Sequence, residues 1–114
     1  MIRVYKTTVT TDGSGNAAKV SDVIQGEILK LTYDKGTVAA GTTCVTTITF
    51  SGEQIDSKDV NGAAKAVTYP AAALAGSSAG DNKWTPFVVN GTLTFTVTGG
   101  SASKSFDVYA HVRI

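Results

Sequence analysis

The chain has 114 residues and a formal net charge of +1, from ten Lys and Arg against nine Asp and Glu. Charged residues make up 17%, below the roughly 25% of ordinary soluble domains; the cations are scattered, which argues against a phosphate-binding surface, and no run approaches the ~20 apolar residues of a membrane helix. One cysteine, Cys44, and one histidine, His111, leave no intramolecular disulfide and no cysteine-based metal site.

A chain of this size buries roughly 65% of the surface its unfolded form exposes, so one domain spanning 1–114 is expected, with a core that needs no staples. The opening, MIRVYKTTVTT, is rich in β-branched residues that fit a pleated sheet better than a helix. With a strand expected from the second residue, no secretory signal is expected. Asp12-Gly13-Ser14-Gly15-Asn16 is a cluster of turn formers. With Ala17 to Val20 returning, the pattern predicts a hairpin. The cluster is no phosphate cradle, because it lacks the terminal Lys, the Ser/Thr and the following helix.

Residues 20–34 place Leu29, Leu31 and Tyr33 at period two after the apolar pair Val23-Ile24. Gly26 interrupts the pattern and marks a bulge or a close backbone approach. Asp34-Lys35-Gly36 reads as a turn. In residues 42–51, Cys44, Ile48 and Phe50 share one face and Val45, Thr47 and Thr49 the other, the alternation of a half-buried antiparallel strand. Ile55 to Val60 is a weaker strand broken by charges. Asn61-Gly62 signals a turn, Ala63 to Tyr69 a strand stopped by Pro70, and Ala71 to Gly80 a loop with at most one helical turn.

Phe87 to Val89, Asn90-Gly91 and Thr92 to Thr98 together predict a type I′ hairpin, with Leu93, Phe95 and Val97 facing the core. Gly99-Gly100-Ser101 turns the chain. From Ser105 on, Phe106, Val108, Ala110, Val112 and Ile114 point inward, and Asp107, Tyr109, His111 and Arg113 outward. Seven to eight short strands and no helix predict an all-β antiparallel sandwich of jelly-roll or Greek-key type. An immunoglobulin-like sandwich is the alternative, without that family's Cys-Trp-Cys core.

No catalytic constellation emerges, and an enzyme is not expected. His111 and Asp107 lie four residues apart on one strand face, about 13 Å at ~3.3 Å per residue, too far for a dyad. Cys44 falls on the core side, where a free cysteine behaves as a small hydrophobe. Glu53, Asp56 and Asp59 form the one acidic cluster but lack the ligand pattern of a calcium loop. No metal and no cofactor are expected. Trp84, in a polar loop, either caps the core or anchors a partner. The candidate partner-contact residues are Ile2, Tyr5, Tyr69, Trp84, Tyr109 and Arg113.

The stretch Tyr5 to Ala17, YKTTVTTDGSGNA, resembles the opening Y-x-T-T-x-T-T-D-x-x-G-x-A of a family of small tailed-bacteriophage structural proteins. The Tyr69-Pro70 step, the Ala/Gly-rich segment 71–80 and the Gly-Gly turn before the last strand are similar too. The resemblance implies a jelly-roll cement or decoration protein, made in the host cytoplasm, that sits on the outer surface of the virion capsid. Its partner would be the major capsid protein, whose subunits it bridges to stabilise the head. It would act as a homo-oligomer, dimer or trimer, without nucleic acid or membrane partners. A tail or neck component, or a carbohydrate- or receptor-binding sandwich resting on Trp84, Tyr69 and Tyr109, is the alternative.

Overall fold

The computed structural model describes residues 1–39, 43–60, 65–73 and 84–114. Among the described residues nine strands, where seven to eight were expected, build two antiparallel sheets. β1 (Ile2–Thr10), β3 (Ile24–Asp34), β6 (Lys65–Thr68), β9 (Val88–Gly91) and β11 (Ser105–Arg113) form the first. The second holds β2 (Ala17–Val20), β4 (Val45–Phe50), β5 (Glu53–Asp59) and β10 (Thr94–Val97). A small ribbon pairs β7 (Ala71–Ala73) with β8 (Trp84–Pro86). No helix occurs among the described residues.

The first sheet runs β1-β11-β3-β6, and β9 pairs with β3 beside β6: β6 takes Leu31–Asp34 and β9 takes Ile24–Glu27. The two behave as halves of one interrupted strand. The second sheet runs β2-β10-β4-β5. The pairings therefore nest, first strand with last, second with second-to-last, and β4 with β5 innermost. Nested antiparallel pairing in two sheets is the all-β sandwich of the sequence expectation.

Each sheet contributes one apolar face to a common core. Val9, Ile28, Leu31, Tyr33, Phe106, Val108 and Val112 come from the first sheet, and Ile48, Ile55, Phe95 and Val97 from the second. All of them are buried, as are Cys44, Leu93 and Val38 in the connections. The alternation in β4, β10 and β11 follows the sequence expectation; Ile114 departs from it, being exposed beyond the end of β11.

Both hairpin expectations fail, for one reason: each turn carries the chain between sheets instead of folding it back. β1 pairs with β11 and β2 with β10, so the Asp12–Asn16 turn is a crossover. Asn90 and Gly91 are strand residues of β9, opposite Gln25 and Ile24, and β10 lies in the other sheet. The Gln25 amide donates to Asn90 Oδ1 at 3.1 Å. Long-range pairing along β3 overrides the local Asn-Gly preference. Ala71–Ala73 is extended against β8, where a loop or helical turn was expected. Residues 74–83, with the rest of that Ala/Gly segment, and the Asn61-Gly62 turn lie outside the described residues.

The crossovers are tied in pairs. At one end, Asp12–Asn16 and Gly99–Lys104 run together: Gly100 N–H donates to Gly15 O at 2.8 Å, Ser103 N–H to Asp12 O at 2.9 Å and Gly99 N–H to Asn16 Oδ1 at 2.8 Å. Gly15 sits at φ +78°, and a Cβ there would lie 1.9 Å from Gly100 O. The glycine serves this close approach. The Asp12 carboxylate accepts from the amides of Ser14 and Asn16, and these bonds hold its pKa below the ordinary value. At the other end, Ser21 N–H donates to Leu93 O, and Leu93 N–H to Ser21 Oγ, both at 2.9 Å. Gly26, at φ +133°, lets the Arg113 carbonyl pass where a Cβ would stand 2.4 Å away. The bulge in β3 falls elsewhere: the register with β11 skips Leu29.

Candidate interaction face

The outer face of the first sheet is built of rungs across four strands. Ile2, Arg113, Glu27 and Val88 form one rung. Val4, His111 and Lys30 form the next. Lys6, Tyr109, Thr32 and Val67 form the third, and Thr8, Asp107 and Asp34 the fourth. Strand periodicity forces this set outward, because the alternate residues of the same strands fill the core.

Two ion pairs close on it. Arg113 Nη2 donates to Glu27 Oε1 at 2.9 Å. Asp107 faces Asp34 across the ladder, a like-charge pairing that costs stability. Thr8 Oγ1 offsets it by donating to Asp107 Oδ1 at 2.7 Å, and Lys6 Nζ stands 4.0 Å from Asp107 Oδ2. His111 Nε2 lies 3.4 Å from Thr32 Oγ1. Burial, helped by the Lys30 charge, lowers its pKa below 6.5, so the imidazole is neutral at neutral pH.

Around these polar centres the rung ends are apolar and wet. Val88 is 71% exposed, Ile2 53%, Val4 50% and Val67 47%. Single exposed hydrophobes are ordinary on a protein surface. Four of them share this sheet face with two ion pairs, and such a cluster marks a contact surface.

Of the six sequence-derived contact candidates, Ile2, Arg113 and Tyr109 meet on this face. Tyr5 does not: it pairs with Ala110 on the opposite side of the sheet and packs half-buried against the core. Tyr69, 72% exposed, directly follows Thr68 of β6. Trp84 opens β8, and its side chain lies outside the described part of the structure. Val4, Val67 and Val88 went unselected, because a β-branched residue in a strand reads as ordinary. Val4 carried a usable signal: it shares its alternation phase with the polar Lys6 and Thr8.

The reactive residue types hold structural posts. Cys44 is buried, and burial, with the Asp59 charge, pushes its thiol pKa up. Its N–H donates to Asp59 Oδ1 at 2.8 Å. Asp56 accepts from Tyr33 and Thr68, so two members of the acidic cluster hold protein donors. No group of three metal-ligating side chains occurs among the described residues.

No protein-family model, no curated protein and no solved structure matches this chain.

Proposed function

We propose that this protein is a bacteriophage cement protein, lying on the outside of the head and bridging major capsid protein subunits through the outer face of its first sheet. The observation that carries the reading is that face. It is a broad β-surface with two ion pairs and four exposed aliphatic side chains, and one shell would offer many copies of its complement. Modest contacts repeated over a lattice add through multivalency. Such a role asks for a rigid sandwich and no chemistry, in keeping with the structural posts of Cys44, Asp56 and Asp59. The Tyr5–Ala17 resemblance supplies the phage context.

The test is a comparison of heads assembled with and without the protein, heated or moved to low salt. The reading expects heads lacking it to release DNA at lower temperature, with full resistance restored by adding purified protein. Equal resistance with and without it refutes the stabilising role.

A further inference from the structure

The four strands at the sheet margins other than β1 carry features that discourage pairing with another chain. β2, β6 and β9 are four residues long. β5 is kinked where its register with β4 skips Ile55, and it turns Asp56 and Lys58 toward the core side, opposite Ile48 and Thr46. Short length, bulges and inward charges are the usual protections of a sheet edge. β1 is different. Its nine residues pair with β11 in unbroken register, and it contains no proline.

The hydrogen-bond phase of β1 shows which groups face outward. Ile114 N–H donates to Met1 O, and Thr11 N–H to Lys104 O. Odd-numbered residues therefore bond to β11, and the N–H and C=O of Ile2, Val4, Lys6, Thr8 and Thr10 point to the edge that no described strand covers. Several side chains there are drawn back from that edge: Thr8 and Lys6 engage Asp107, and Thr10 Oγ1 meets Ser105 Oγ at 2.8 Å.

We infer that β1 pairs antiparallel with β1 of a second copy about a two-fold axis at Val4, joining the two first sheets into one continuous sheet. Side-chain chemistry favours this register over its neighbour at Lys6. An axis at Lys6 would set Lys6 against its own copy. An axis at Val4 sets Val4 on Val4 and Ile2 opposite Lys6. It also puts Arg3, on the core-facing side of the strand, opposite the half-buried Tyr5, within reach of a cation–π contact. Arg3 thus discourages arbitrary strands and suits this one. An isologous contact of this kind closes at two copies. The inference stands independently of the capsid reading.

The test is the mass of the purified full chain in solution across a concentration series, with amide hydrogen exchange at both ends of the range. Twice the 11.7 kDa chain mass is expected at high concentration, together with concentration-dependent protection of the Ile2, Val4 and Lys6 amides. Val4→Pro removes an N–H that β11 does not use, and Val4→Asp places like charges on the axis. Each is expected to weaken self-association by roughly tenfold or more. Val4→Asp changes a half-exposed side chain and keeps the test decisive if the proline variant does not fold. A single-chain mass at every concentration up to the solubility limit overturns the inference, as does a dimer that survives Val4→Asp.

Discussion

The hydroxyl of Tyr33, on the first sheet, donates to the carboxylate of Asp56, on the second. Thr68 of β6 donates to the same oxygen at 2.6 Å. One carboxylate thus ties β3, β5 and β6 together across the open side of the sandwich. Asp56, one of the charges that break the Ile55 to Val60 strand pattern in the sequence, is a clamp between layers.

Removing this hydroxyl has a defined cost and a defined pH signature. A hydrogen bond to a charged group contributes about 1.5–3 kcal/mol, so Tyr33→Phe is expected to lower stability by roughly that amount at pH 7. Burial first, and then Asp56, hold the Tyr33 pKa far above the ordinary 10. The folded chain thus keeps a proton that the unfolded chain releases as pH rises past 10. The stability this provides is fully present below pH 10 and is lost above it. Denaturant titrations should show the gap between wild type and Tyr33→Phe narrowing as pH climbs beyond 10.

Gly13 and Gly15 make a controlled pair within one turn. A Cβ at Gly13 meets nothing within 4 Å, whereas at Gly15 it runs into the Gly100 carbonyl from a left-handed backbone. Gly15→Ala should destabilise by more than about 1 kcal/mol, while Gly13→Ala should stay within about 0.5 kcal/mol. Thermal melts of the two variants check it. Equal melting temperatures would contradict the crossover packing.

Cys44 is expected to be silent toward thiol reagents in the folded protein. It is buried and its thiol pKa is raised, so thiolate is scarce and access needs unfolding. A disulfide reagent should label it only as fast as the chain opens, and at once in denaturant. Rapid labelling under native conditions would place the residue at the surface.

His111 gives the outer face an acid response. Its pKa in the folded state lies below 6.5, so the unfolded chain takes up the proton first as pH falls. Stability is therefore complete above about 6.5 and declines as pH drops below it toward the lowered value. His111→Gln should flatten this limb of the stability profile, read by melting temperature between pH 7 and 5.

How much of this was legible in the sequence follows from which interactions are local. Alternation in β4, β10 and β11 is a property of consecutive residues, and the buried sets Phe95/Val97 and Phe106/Val108/Val112 follow from it. Strand partnership is not local. Asn90-Gly91 has the composition of a tight turn, yet its partners are Gln25 and Ile24. Gly15 looks like a hairpin glycine, yet its constraint comes from Gly100, far along the chain. The interaction face shows the same division. Tyr109 and Arg113 were visible as outward residues of one alternating strand. That Ile2, Val67 and Val88 join them depends on the order β1-β11-β3-β6 and on β9 alongside β3.

Two substitutions on that face separate folding from binding. Val67 and Val88 are exposed at the ends of their rungs, so Val67→Asp and Val88→Asp should each change stability by no more than about 0.5 kcal/mol. On the present account they weaken attachment to the shell, because a carboxylate must be desolvated at every copy of the contact.

On the proposed capsid reading the most direct measurement is co-sedimentation of the purified protein with empty head shells of the phage that reading implies, counting bound copies for wild type and for the Val67→Asp, Val88→Asp double variant. The account predicts saturation at hundreds of copies per shell for wild type, on the order expected of a contact repeated over the lattice, and a marked loss for the double variant. Saturation at a dozen copies or fewer would move the protein to a vertex, neck or tail, and no binding at all would contradict the account.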